Sequence, residues 1–278
     1  MTQEDFLSLA EEFRAVLARL PETSAELAGN RGRKVRAELE IIAEELRTRL
    51  TQLDPTKLPD SFFDPADPRL FGVFAALALV GQSRTPLTAL ANTRFYGSGV
   101  YAIYYNGEFE TYAPIRKTEH PIYVGKADPA VPNARSPRDQ GDRLCGRLNE
   151  HRKNIERAQN LRIEDFECRY LVVATGWQIA AENALIDLFK PIWNKETGIL
   201  LGFGKHGDSA DTRRNKRSPW DVLHQGREWA AAGGIEDSKS AIEIETEVRA
   251  HFATHAPVPD IEHVVRELTA QIKSRHHV

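Results

Sequence analysis

Arg143, Arg147 and His151 recur at intervals of four residues, a spacing that lines three side chains along one face of a helix. Cationic or proton-handling groups in one stripe repel one another unless they share an anion. The stripe therefore reads either as a solvated basic face or as a phosphate-binding face. Further on, Ile179, Glu182, Ile186 and Phe189 fall at i, i+3, i+7 and i+10, so Glu182 interrupts an apolar stripe. A carboxylate there is costly unless it is paired or holds a metal. It is either an edge or salt-bridged residue, or a ligand for a hard cation such as Mg2+, which takes one or two carboxylates and completes its shell with water and phosphate oxygens. Two tyrosines complete the set. In Pro121-Ile122-Tyr123-Val124-Gly125, strand alternation predicts Tyr123 and Gly125 on one side and Ile122 and Val124 on the other. That leaves room around the Tyr123 hydroxyl. Tyr101 alternates away from Val100 and Ala102, so the two tyrosines can converge across neighbouring strands, as aromatic packing or as chemistry.

The pair Gly125-Lys126 closes a strand-like run and raises the question of a phosphate-cradling loop. The pattern G-x-x-x-x-G-K-[ST] requires glycine at position 120 and a hydroxyl at position 127. The chain has His120 and Ala127, which removes that reading.

The elements that must carry these residues are legible in outline. Val100 to Tyr105 is aromatic and branched, and Asn106-Gly107 follows before Glu108-Phe109-Glu110-Thr111-Tyr112. An Asn-Gly pair between two strand-like runs predicts a hairpin. The run ending at Gly125 is a further core strand. Residues 128–142, rich in Pro, Asp and Gly, form a loop. A helix follows from about Asp142 to Ala158, with Leu144, Leu148, Ile155 and Ala158 as its apolar stripe. Asp165 to Ala174 reads as a strand. Thr175-x-x-Gln178 resembles a capping box and opens a helix that Pro191 stops. The order strand, strand, helix, strand, helix predicts an α+β unit with a small, mainly antiparallel sheet flanked by helices.

The flanks differ in texture. Residues 1–60 show helical apolar spacing, which predicts a packed hairpin or, alternatively, a dimerisation coil. Pro55, Pro59, Pro65 and Pro68 mark a linker, and 61–96 holds its end and a buried helix that begins with Pro68. Residues 97–232 hold the core, and 233–278 return to helix.

Composition bounds the class. At 278 residues, 41% hydrophobic and 28% charged, with mean hydropathy −0.46, the chain reads as an ordinary soluble globular protein. Cys145 and Cys168 lie in no C-x-x-C pattern, as expected of a reducing cytoplasm. No apolar run approaches the roughly 20 residues of a membrane helix, and the acidic N-terminus is unlike a secretory signal. The net charge of −3 argues mildly against a nucleic-acid partner, but positive charge is concentrated locally at Arg138 to Arg157 and Arg213 to Arg217.

In order, Gly99-Val100-Tyr101, Tyr123-Val124-Gly125-Lys126, Arg147, His151, Glu182 and Asn194 resemble the GIY-YIG nuclease superfamily over about residues 97–194. Phe95 to Tyr105, Glu164 to Val173, Arg217 to Asp221 and Leu223 to Trp229 extend the resemblance to its type II restriction endonucleases that cut CCGCGG, the SacII specificity. The name-giving tripeptides here read GVY and YVG. The loop between Lys126 and Arg147 is longer than in the superfamily's excision-repair nucleases, which favours a recognition insertion.

The resemblance implies hydrolysis of a DNA phosphodiester with one divalent metal, Mg2+ or in its place Mn2+. Glu182 would hold the metal and Arg147 would contact the scissile phosphate. Tyr101 would act as general base or water-orienting group, with Tyr123 and His151 in its hydrogen-bond network. Lys126 would assist at the phosphate and Asn194 would brace the site. A tyrosine of ordinary pKa near 10 is a poor base, so positive charge is expected beside Tyr101. Arg135, Arg138, Arg143, Arg213, Arg214, Lys216 and Arg217 are the candidates for contacting DNA, by guanine edges or by phosphates. A palindromic site implies a homodimer or tetramer on double-stranded DNA. A repair or mobile-element nuclease and a catalytically inert DNA-binding protein are the competing readings.

Overall fold

Aromatic and β-branched residues fill Val100 to Tyr105 without a polar break, the pattern of a strand covered on both faces. In the computed structural model, which describes residues 3–20, 29–56, 64, 67–204, 216–231 and 235–274, this run is the central strand of the sheet. The strands are β1 (Thr85–Pro86), β2 (Gly99–Tyr105), β3 (Tyr123–Ala127) and β4 (Phe166–Val172). They pair in the order β1-β4-β2-β3, antiparallel throughout. Every residue of β2 is buried. With its flanking helices this is an α+β fold.

The chain divides into two units, Met1–Asp60 and Ser61–His277. The first contains α1 (Gln3–Leu17) and α2 (Gly29–Leu53). The expected packed hairpin does not form. Phe6, Phe13 and Val16 on α1 and Val35, Ile42 and Leu46 on α2 are all exposed. A helical period fixes which face of a helix is apolar but not what packs against that face.

The second unit holds the sheet between two helical layers. Its helices are α3 (Pro68–Val80), α4 (Arg143–Arg157), α5 (Gln178–Phe189), the short α6 (Pro219–Leu223), α7 (Ala241–Thr254) and α8 (Ile261–Ser274). Alternation along β2 sorts the two cores. Val100, Ala102 and Tyr104 point into a cluster with Val73, Leu79, Leu185, Phe189 and Leu268, from α3, α5 and α8. Tyr101, Ile103 and Tyr105 point the other way, onto Leu144, Leu148 and Ile155 of α4 and onto Trp193, Phe203 and Trp220. Val124 belongs to the first cluster and Ile122 to the second, so these two do not share a face as expected. Ile122 precedes β3, and strict alternation starts only at Tyr123.

Two local expectations fail for identifiable reasons. Asn106-Gly107 does not close a hairpin. β2 joins β3 through a longer excursion containing a 3-10 turn at Glu110–Ile115. Phe109, Tyr112 and Ile115 recur every three residues, the period that a 3-10 turn eclipses, and Tyr112 and Ile115 are buried. The Tyr112 hydroxyl is also claimed by His224 at 2.5 Å and by the Trp193 indole at 2.9 Å. The second failure is the capping box. Thr175 donates its hydroxyl to the Ala134 carbonyl at 2.8 Å, and the residue before α5 is Trp177, with no side-chain cap. Tertiary hydrogen bonding to the 128–142 loop outcompetes the local motif. The C-terminal end of α5 is as read: Lys190 turns left-handed just before Pro191.

Leu185 sits fully buried between the sheet and α3, one turn from Glu182. Leu185→Ala should lower the free energy of unfolding by about 2–4 kcal/mol, measured by urea denaturation. A loss under about 0.5 kcal/mol, within the range of ordinary surface substitutions, would mean that α5 is not packed as described.

Candidate active site

Antiparallel register decides what faces what. Tyr101 of β2 lies opposite Gly125 of β3 and, on its other side, opposite Tyr170 of β4. The glycine is required there: a Cβ at position 125 would collide with the Tyr101 hydroxyl. The space that Gly125 leaves is thus used by Tyr101, its cross-strand partner. Tyr101 and Tyr123 converge, with ring centroids 6.1 Å apart.

Behind them, α4 presents His151, fully buried. Its Nε2 lies 2.6 Å from the Tyr101 hydroxyl. Phe203 stacks on the imidazole, centroids 4.5 Å apart and 17° from parallel, and meets Tyr123 edge-on at 5.1 Å. One turn earlier on α4, Arg147 donates to Glu150 Oε2 at 2.9 Å and to the Gly204 carbonyl at 2.8 Å.

These groups line a cleft of about 580 Å³ along the free edge of β3, between α4 and the first turns of α5. Tyr123, Lys126, Arg143, Arg147 and Glu182 all reach its wall. Asn194, just past α5, is buried and acts as a surrogate strand neighbour for β3. Its amide oxygen accepts from the Val124 N–H at 2.9 Å, and its amide nitrogen donates to the Val124 carbonyl at 2.8 Å.

The electrostatics differ from the expectation at Tyr101. Burial, then the neighbouring Tyr123, raises its pKa well above the usual phenol value, and Arg147 only partly offsets this. The phenol is therefore neutral, and it lies behind the cleft wall, where Tyr123 is the exposed member of the pair. The Tyr123 pKa is also raised, first by burial, with Arg147 opposing. Arg147 keeps its charge: burial disfavours it, but its bond to the Glu150 carboxylate and its hydrogen bond to the Tyr101 hydroxyl outweigh that penalty. Glu182 is pushed up to about 7, chiefly by burial and against the pull of Lys126. No hydrogen-bond or ion-pair partner among the described residues reaches its carboxylate. Lys126 is bound to Asp128 at 2.6 Å, which holds the Asp128 carboxyl below its ordinary range.

A family model described as the Eco29kI GIY-YIG domain matches residues 93–252, more than half of the 278 residues. The chain belongs to that family. No curated protein matches it. The family is one of restriction endonucleases, so this GIY-YIG chain is a DNA endonuclease, a hydrolase by class.

GIY-YIG nucleases generally use a divalent metal, and the cleft fits one. Glu182 offers a half-buried carboxylate, without a hydrogen-bond partner among the described residues, in a polar recess beside substrate-sized space. Among the described residues no cluster of three or more His, Cys, Asp or Glu is arranged to hold an ion. The donor set of one carboxylate is that of a hard cation completed by water and substrate oxygens.

The remaining candidate residues are dispersed. Arg143 lines the cleft. Arg135 and Arg138 are exposed on the 128–142 loop, with Arg138 over the Tyr96 ring at 5.5 Å. That loop is pinned from beneath by Gln140, which accepts from the Ser98 N–H and donates to the Val173 carbonyl at 2.9 and 2.8 Å. Lys216 and Arg217 pair with Glu236 and Asp237 at 3.4 and 2.8 Å. Arg213 and Arg214 lie outside the described residues. Ile179, expected on the buried stripe of α5, is exposed; Ile186 and Phe189 of that stripe are buried, together with Ala181 and Leu185. Sequence reading missed Asp128, Glu150, Phe203 and Gly204. Glu150 was within reach as the i+3 partner of Arg147. Phe203 and Gly204 carry no local signal.

A carboxyl with a raised folded-state pKa binds its proton more tightly when folded. Its stabilising contribution is complete below the unfolded value near 4.3 and is lost as pH rises through about 7. Glu182→Gln, studied with chelator present, should therefore raise the melting temperature at pH 8 by roughly 2–4 °C and leave it unchanged at pH 4. An equal gain at both pH values, or none at pH 8, would contradict the buried, proton-holding carboxyl.

Proposed function

We propose that this chain is a type II restriction endonuclease that hydrolyses both strands of a palindromic G/C-rich DNA site, CCGCGG, with one divalent metal per active site. The ion is Mg2+, with Mn2+ as a substitute. Residues 97–232 form the nuclease core with its recognition insertions. Residues 61–96 pack on it, and 1–60 and 233–278 are helical extensions. The enzyme works in the cytoplasm as a homodimer or tetramer, because a palindrome presents the same scissile step twice about a two-fold axis.

The observation that carries this reading is the single cleft wall shared by Tyr123, Lys126, Arg147 and Glu182, backed by the Tyr101–His151 bond of 2.6 Å. Phosphodiester hydrolysis needs a deprotonated water, neutralised charge on the phosphorus oxygens and a stabilised leaving oxygen. Arg147 grips the scissile phosphate with its fork of donors. Lys126 releases Asp128 and adds a second positive charge. Glu182 holds the cation, which when bound supplies Lewis-acid stabilisation of the developing charge. As the water oxygen bonds to phosphorus and the bond to the leaving oxygen breaks, the water's proton passes to the Tyr123 hydroxyl, Tyr123 passes its own to Tyr101, and Tyr101 passes its own to His151 Nε2, so neither tyrosine persists as a phenolate. Asn194 keeps β3, and with it Tyr123 and Lys126, at a set height. The guanidinium groups of Arg135, Arg138 and Arg143, with Arg213, Arg214, Lys216 and Arg217, contact DNA by base edges or phosphates.

Glu182→Ala and Arg147→Ala should each cut the single-turnover rate on a CCGCGG substrate by at least about 10²-fold, while Glu182→Ala still binds that DNA without turnover. Discrete plasmid fragments from the wild type in Mg2+ support restriction. Nicking only at damaged sites would indicate a repair enzyme, and absence of cutting a binding protein. Normal cutting by Glu182→Ala would remove the metal assignment.

A further inference from the structure

Behind the cleft lies a buried ion pair that none of the chemistry above uses. Arg227 and Asp221 are 2% and 1% exposed, and Arg227 Nε donates to Asp221 Oδ1 at 2.6 Å. Ser218 donates its hydroxyl to Asp221 Oδ2 at 2.5 Å. A buried pair of this kind is a poor way to gain stability, since the desolvation of both charges offsets their attraction unless every donor is used. Here two further donors of Arg227 are aimed at one short segment. Arg227 Nη2 donates to the Gly202 carbonyl at 3.0 Å, and Nη1 to the Phe203 carbonyl at 3.4 Å. The guanidinium also lies over the Trp220 ring at 4.5 Å.

The held segment is the one that touches the catalytic groups. Gly204 gives its carbonyl to Arg147, and Phe203 stacks on His151 and abuts Tyr123. Gly202 has φ +119°, and a Cβ there would strike Ser218, so backbone and cluster are fitted to one another. Asn154 on α4 adds a bond to the Phe203 carbonyl at 3.4 Å, which ties the segment to the helix that carries Arg147 and His151.

We propose that the buried Ser218–Asp221–Arg227 cluster is the positioning device of the active site: it fixes the 202–204 backbone, which in turn orients Arg147 and seats Phe203 on His151. Its catalytic consequence rests on the nuclease reading above. Arg227 touches no substrate; it acts through Gly202, Phe203 and Gly204. Lysine at 227 can keep the charge pair with Asp221 but cannot fork to two carbonyls as well. A displacement of about 1 Å at a reacting group costs on the order of 10²-fold in rate.

The test compares Arg227→Lys with Leu223→Ala. Leu223 is buried in α6 beside the cluster and lines no wall of the cleft, so Leu223→Ala reports generic loss of packing. Single-turnover cleavage in Mg2+ and DNA affinity in Ca2+ are measured at a temperature where both variants are folded by circular dichroism. The His151 ring-proton shift, which Phe203 stacking sets, is followed by NMR in the free proteins. Arg227→Lys should lose about tenfold to 10²-fold in rate with affinity within about threefold, and its His151 resonance should move. Leu223→Ala should keep both rate and resonance. Wild-type rate in Arg227→Lys, or equal losses of rate and resonance in the two variants, would overturn the proposal. If the wild type cuts no DNA, the nuclease reading fails, and the His151 resonance alone decides the clamp: movement in Arg227→Lys only supports it, and an unmoved resonance overturns it.

Discussion

The pairing of Tyr101 with Gly125 across β2 and β3 is the constraint on which the cleft depends. Side chains on neighbouring strands stand about 5 Å apart, and on the β3 side a Cβ at position 125 would collide with the Tyr101 hydroxyl, whereas Tyr170 is accommodated on the β4 side. With glycine there, the ring lies flat enough against β3 for the hydroxyl to meet Nε2 at 2.6 Å. Register is an all-or-none property, because a slip of one residue turns every side chain to the other face. The same slip would move Tyr101 into the cluster of Leu185 and Phe189. The two cores therefore enforce the geometry: β2 cannot shift without exchanging its apolar and aromatic faces.

Charge is distributed around that axis in a balanced way. Positive groups are held ready by weak or shared partners: Arg147 by Glu150 and a carbonyl, Lys126 by Asp128. Glu182 stands partly desolvated and without a partner among the described residues. Such an arrangement suits a site that receives a phosphate and a cation together, since each neutralises what the other leaves uncompensated. The raised tyrosine pKa values follow from burial, the same burial that stops the phenols from being solvated competitors for the incoming anion.

Much of the site was legible because it lies on regular elements. Arg143 and Arg147 on one helical face, Tyr101 and Tyr123 on adjacent strands, and Glu182 breaking an apolar helix all follow from periods of 3.6 and 2. The readings that failed depended on short motifs without tertiary context. Asn106-Gly107 has the chemistry of a tight hairpin, but Tyr112 gains more by entering the core against Trp193 and His224. Thr175 has the chemistry of a cap, but its hydroxyl bonds to Ala134. The exposed seams of α1 and α2 show a periodicity correctly read as helical; a helical period marks the apolar face but does not say what covers it.

By itself the sequence determined the order of the main strands and helices, most of their apolar faces, and which ionisable groups stand on them. Those are properties of local period and composition, decided within a few residues. Tertiary structure alone decided that Tyr123, rather than Tyr101, stands on the cleft wall, that Asn194 pins β3, and that Gly204, Phe203 and Arg227 stand behind Arg147 and His151. These relations join residues about fifty to eighty positions apart through single hydrogen bonds and ring contacts. No local pattern encodes which distant carbonyl a guanidinium will find. That is set by the packing of two cores against one sheet, where only one arrangement fills the space and satisfies the buried donors.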